Sequence, residues 1–189
     1  MIKGAGILEL FKYDYLPDCK YVLDSYGDIS ISKLYIVRSP INSVLQSGLK
    51  PFNKTIYDKL FHLYIVVELS NKVLILIEKN EVINIVKINK LLINDKTEYR
   101  IVKSNISSIN DLLNNTRKLF NEKLYFGYDM INNCQKFILM ILESNGLYEI
   151  DLVKFVKQDT ETIFRNWPTI RNVSNFFVRL YGNMRIFIN

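Results

Sequence analysis

Histidine is nearly absent from this chain: His62 is the only one in 189 residues. Cysteine is almost as scarce, with only Cys19 and Cys134. This set lacks the paired ligand spacing of a zinc site, so no metal is expected. Two cysteines make no disulfide framework either, and free thiols fit a reducing, cytoplasmic setting. Long apolar runs are also missing. The longest, Phe137–Leu142, falls far short of the ~18–20 residues that span a bilayer. The opening "MIKGAGILELFKYDYL" is broken by Glu9 and Lys12, too soon for the apolar region of a signal peptide. No Lys/Arg block is interleaved with aromatics, so nucleic acid is not an expected partner. There is no internal repeat, low-complexity segment or clear linker.

What is there is the material of a core. Hydrophobic residues make up 49% of the chain and aromatics 13%, which argues against disorder. The length suits a single domain. The net charge of +6 is spread along the chain. It favours solubility and permits peripheral contact with an anionic membrane.

Residues 1–30 read as an irregular extension, and 31–189 as one domain. "SKLYIVRSP" (32–40) reads as a strand stopped by Pro40. "INSVLQSGLKP" (41–51) could hold a short helix. In "KLFHLYIVVELSNKVLILIEKN" (59–80), two β-rich runs flank "SNK", a hairpin signal. Both runs are apolar almost throughout, so both faces should be covered. "EVINIVKI" (81–88) and "EYRIVKS" (98–104) add strands. The result is an antiparallel sheet of five or six strands.

Helical spacing takes over after Ser104. Ile109, Leu112, Leu113, Thr116 and Phe120 fall on one face. Ser107 or Ser108 can cap this helix, and Asp111 lies in its first turn. A second helix runs from about Asn133 to Ser144, with Gly146 placed as its C′ residue. Phe137–Leu142 leave it no polar face, so it must be buried on nearly all sides. A third, 151–166, has an inner stripe of Leu152, Val156, Ile163 and Phe164. The aromatic tail returns as strands around Gly182. The fold class is therefore α+β, a sheet packed against helices with the 133–144 helix central.

Cys134 sits where an asparagine cap meets that apolar helix. The helix dipole and unsatisfied N–H groups at a helix start favour a thiolate, and they can hold an oxyanion. The sheet carrying His62 is the natural packing partner, so an imidazole could generate that thiolate. Cys19 reads as structural.

"LFHLYIVVEL", then "KVLILIEKN", and much later "NNCQKFILMIL" resemble the circularly permuted branch of the NlpC-type papain-like superfamily. That branch includes lecithin:retinol acyltransferase-like proteins and members in poxviruses and other large DNA viruses. The resemblance covers about 32–145. It implies a permuted papain-like fold with Cys134 as nucleophile, His62 as base, and no cofactor. The family's third member is a polar residue on the next strand, often a second histidine, which this chain lacks. Glu78 and Asn80 are the candidates. A turn near Ser70 would put Glu78 opposite His62, and a shift of one or two residues would substitute Lys79 or Asn80. Tyr128 and Gln135 are implied substrate-site residues. The implied function is a cysteine hydrolase or an acyl or peptidyl transferase, acting on a lipid or peptide-like ester or amide. The competing expectation is an inactive interaction or virion protein that keeps the fold.

Overall fold

A computed structural model of the protein describes residues 13–40, 61–91, 93, 97–128 and 132–157. The expected helix at 41–51, the second half of the 151–166 helix and the strands around Gly182 lie outside these residues. The described residues form an α+β fold of five strands and five helices. In chain order these are α1 (Pro17–Tyr26), β1 (Ile31–Pro40), β2 (Phe61–Leu69), β3 (Leu74–Lys79), β4 (Ile83–Ile88), β5 (Glu98–Val102), α2 (Ile109–Leu119), α3 (Glu122–Phe126), α4 (Cys134–Ser144) and α5 (Ile150–Val156). The sheet is antiparallel throughout, in the order β4-β3-β2-β1-β5. Its central strand is therefore β2, which carries His62.

Strand alternation divides the sheet into two apolar faces. Leu63, Ile65, Val67 and Leu69 join Ile75 and Ile77 beneath the helices, in the main core. Tyr64, Val66 and Leu76 join Tyr35 and Val37 in a second cluster. This double burial explains why β2 and β3 read as nearly continuous apolar runs. Helix α4 packs on β2 and β3, with α2 and α5 beside it. Phe137, Ile138, Met140, Ile141 and Leu142 of α4 are all buried. At about 1.5–3 kcal/mol per buried large side chain, these five residues hold α4 against the sheet. Helix α5 is pinned separately, with the Arg38 and Arg100 guanidinium groups each 4.6 Å from the Phe155 ring centre. No helix of the described residues is long and apolar enough to cross a membrane.

One expectation needs correction and one element is added. The stretch 1–30 is not irregular throughout: Pro17–Tyr26 is helical, with Pro17 in the first turn and Asp18 beside it. Proline is favoured there because its missing N–H would have no helical partner anyway. Tyr15 and Cys19 belong to the main core, so the domain begins before residue 31. The short helix α3 was not expected from the sequence. It is a single turn capped by the Asn121 side chain on the Leu124 N–H, too short to show a period.

The caps settle other choices. Ser108, not Ser107, caps α2 and accepts from the Asp111 N–H at 3.1 Å. Helix α4 ends in a Schellman arrangement: the Leu147 N–H reaches Leu142 O at 2.8 Å, and the Gly146 N–H reaches Glu143 O at 3.3 Å. Gly146 has φ 66° and nothing within 4 Å of where a Cβ would sit. Gly146→Ala therefore isolates backbone strain. It should cost about 1 kcal/mol and lower Tm by roughly 2–4 °C in a thermal melt. An unchanged Tm would show that the turn does not depend on a left-handed residue.

Candidate active site

The β2–β3 turn decides what faces His62. The loop is Ser70–Asn71–Lys72, with Lys72 left-handed at φ 69°. The Leu69 N–H donates to Val73 O at 2.9 Å, and the Asn71 side chain accepts from the Val73 N–H at 3.1 Å. This is the three-residue hairpin geometry. It centres the turn on Asn71 rather than Ser70, so Glu78 pairs with Tyr64 and not with His62. The register is shifted by two from the expected one. A shift of two keeps every side chain on its face, so Glu78 still shares a face with His62, one diagonal step away. Its Oε2 lies 2.8 Å from His62 Nε2. Asn80 engages Glu78: its Nδ2 donates to Glu78 Oε1 at 3.4 Å. The two candidates for third member thus stand in series, with Asn80 behind Glu78.

Cys134 comes from the helix layer. Asn133 caps α4, its Oδ1 accepting from the Gln135 N–H at 3.0 Å and the Lys136 N–H at 3.3 Å. Its carbonyl takes the Phe137 N–H at 3.0 Å. Cys134 is therefore the first residue of the helix, at its positive end. The thiol hydrogen-bonds with His62 and with the Leu63 and Gln135 N–H groups. The Leu63 contact follows from the sheet: the β2–β3 ladder stops at Tyr64 and Glu78, although β2 starts at Phe61. With Nε2 engaged by Glu78, Nδ1 is the ring nitrogen left for the sulfur.

Cys134, His62 and Glu78 thus form one hydrogen-bonded series: Cys134 thiol, His62 imidazole, Glu78 carboxylate. Glu78 is 3% exposed and the His62 side chain 20%, so solvent reaches the ring but hardly the carboxylate. Burial alone would push the imidazole down. Its hydrogen bonds to Cys134 and Glu78, with their negative charge, outweigh burial and raise it to about 10. Burial alone would push the thiol up. The hydrogen bond and positive charge of His62, then the two backbone N–H groups, hold it below the ordinary cysteine value. Both shifts favour the thiolate–imidazolium form of the pair.

Cys19 is the internal contrast. It is buried, donates to Ile83 O at 3.5 Å and accepts from the Ile85 N–H at 3.3 Å. Burial raises its thiol, so it stays protonated and inert.

Tyr128 is half-buried in the loop after α3, and Gln135 is half-buried in the first turn of α4. Gln135 enters the site through its backbone N–H. Among the described residues, no cluster of His, Cys, Asp and Glu could hold a metal ion. Nothing in the sequence signals the Leu63 N–H at the sulfur, or the burial of Lys79 and Asn132 beneath the start of α4. Alternation along "IEKN" could have found only the face of Lys79, since neighbours of Glu78 and Asn80 must face the helices. Compared with protein-family models, curated proteins and solved structures, the chain finds no significant match.

The His62 cation makes stability pH-dependent. Its folded value, about 10, lies above the ordinary 6.5. The stabilisation it adds is therefore complete below pH 6.5 and is lost as pH rises through about 10. Urea unfolding of wild type and His62→Gln should differ most on the acid side and converge on the alkaline side. A gap that stays constant with pH would show that folding leaves the His62 titration unchanged, and one that shrinks or reverses on the acid side would show a ring held neutral in the folded protein.

Proposed function

We propose that this protein is a cysteine hydrolase or an acyl or peptidyl transferase that works through a thioester, with the permuted papain-like arrangement that its motifs resemble. The observation that carries the reading is the Cys134–His62–Glu78 series at the start of a buried helix. A nucleophile, a base and an orienting acid meet there. The chain order, histidine strand before nucleophile helix, suits the permuted branch.

The thiolate of Cys134 attacks the carbonyl carbon of an ester or amide, forming a carbon–sulfur bond as the carbonyl π pair moves to oxygen. The Gln135 and Lys136 N–H groups are already used by the Asn133 cap, and the Phe137 N–H by the first helical bond to Asn133 O. That leaves the Cys134 N–H as the helix donor for the oxyanion. Collapse of the tetrahedral species expels the alcohol or amine, which takes the proton from the His62 imidazolium. His62, now neutral, removes a proton from water or an acceptor, whose oxygen or nitrogen attacks the thioester. Sulfur leaves, and the imidazolium–thiolate pair is restored. Glu78 holds the ring and favours its cation; Asn80 holds Glu78. No cofactor enters these steps. Tyr128 and the Gln135 side chain are the candidates for lining the substrate.

The test is peptide mass spectrometry after exposure to thiol-reactive acyl and amide probes. Cys134 should label far faster than Cys19, and His62→Ala should abolish the difference. Glu78→Gln keeps the shape but loses the charge, and should slow acylation by roughly 10²-fold or more. If both cysteines label alike and His62→Ala changes nothing, the protein is a non-catalytic relative of this architecture. The donors that label will separate lipid from peptide substrates.

A further inference from the structure

We infer that Lys79 is the positioning residue that sets the nucleophile against its base; the inference rests on the reading of Cys134 as nucleophile. Lys79 is 0% exposed. It lies between Glu78 and Asn80, and strand alternation turns it to the opposite face, under the start of α4. Its Nζ donates to Tyr125 O at 2.7 Å, Leu124 O at 3.1 Å and Asn132 Oδ1 at 3.3 Å. It also lies 5.4 Å from the ring centre of Phe137, in the first turn of α4.

Asn132 extends this grip. Its Nδ2 donates to Gly127 O at 2.6 Å and Leu124 O at 2.7 Å. Gly127 must be glycine at this close approach, because a Cβ there would sit 2.2 Å from Lys123 O. The next residues are the cap Asn133 and then Cys134. A continuous path therefore runs from β3 through Lys79 and Asn132 to the nucleophile.

The site needs such a path because apolar burial is non-directional. The packing of α4 fixes which face is inside, but it resists a small slide along the sheet only weakly. Attack geometry is far less tolerant, and an ångström of misplacement costs about 10²-fold. Hydrogen bonds from a rigid strand supply the missing direction. Glu78 fixes the imidazole from one face of β3, and Lys79 fixes the helix start from the other. Adjacent residues of one strand thus hold both halves of the pair. A buried ammonium is costly, and three acceptors around one Nζ are what keep it there.

The experiment uses the full chain as wild type, Lys79→Met, Asn132→Ala and the double variant. Met preserves the length of the stem and removes the donor. For each, the rate of Cys134 acylation by an activated ester is followed by peptide mass spectrometry across pH. Cys19 serves as the buried reference, and thermal melts report folding. In folded Lys79→Met the rate near neutral pH should fall roughly 10–10²-fold, and its acid limb should move up towards that of an ordinary thiol. Asn132→Ala should move both in the same direction, and the double variant should be no worse than the slower single one. A purely structural lysine would lower Tm and leave the pH profile in place; folded Lys79→Met with the wild-type rate and profile overturns the inference. If Lys79→Met does not fold, Asn132→Ala decides by the same criterion. Failure of the parent reading looks different: wild-type Cys134 itself would react no faster than Cys19.

Discussion

Helix α4 has no polar side along Phe137–Leu142, and the rest of the architecture is arranged around that constraint. A helix apolar all round needs a partner on every flank. The sheet supplies one, and α2 and α5 supply others. The central strand β2 lies beneath α4, so the start of the helix meets the part of β2 where pairing with β3 has stopped. That gap in the ladder frees the Leu63 N–H for the Cys134 sulfur. The same apolar burial that stabilises the domain therefore delivers the thiol to the imidazole.

Burial works against both members of the pair, pushing the imidazole towards neutrality and the thiol towards protonation. The charged form is favoured because each partner's charge and hydrogen bonds outweigh its own desolvation. The positive end of α4 and the backbone donors help the sulfur, while Glu78 helps the ring. Remove the partner from either and burial would win. This makes the pair interdependent, and the two groups titrate as a unit rather than as separate sites.

Much of this was legible in the sequence, and the failures have physical causes. The apolar runs, the hairpin signal and the Asn-Cys helix start pointed to the sheet and the central helix, because periodicity and capping are local; the Cys134–His62 pairing rested on helix-on-sheet packing and on the resemblance. Glu78 was identified as a candidate through a register wrong by two. The argument survived because the period of a strand is also two, so the face was right when the neighbour was not. A shift of one would have brought Lys79 to that face instead. Helix α1 escaped notice because its apolar positions are sparse and its start is marked only by Pro17. Alternation along "IEKN" puts Lys79 on the helix side of the sheet, but it does not show that the ammonium is buried there. What decides it is the arrival of Leu124, Tyr125 and Asn132 from far along the chain.

The choice of a carboxylate as third member bears on how the proposed cycle would turn over. A second histidine could orient the ring while remaining neutral; Glu78 also adds charge and helps hold His62 up near 10. An imidazolium that firm is a poor proton donor while the thiolate stands beside it. Acylation changes this, because the sulfur loses its negative charge on forming the thioester. One of the two supports of the cation then disappears, while burial, which opposes it, remains. The imidazole is therefore pushed down as the leaving group departs, when a proton must be released and a base for water is next required. On this mechanism the nucleophile's charge is itself the switch that moves His62 from stabilising cation to working base.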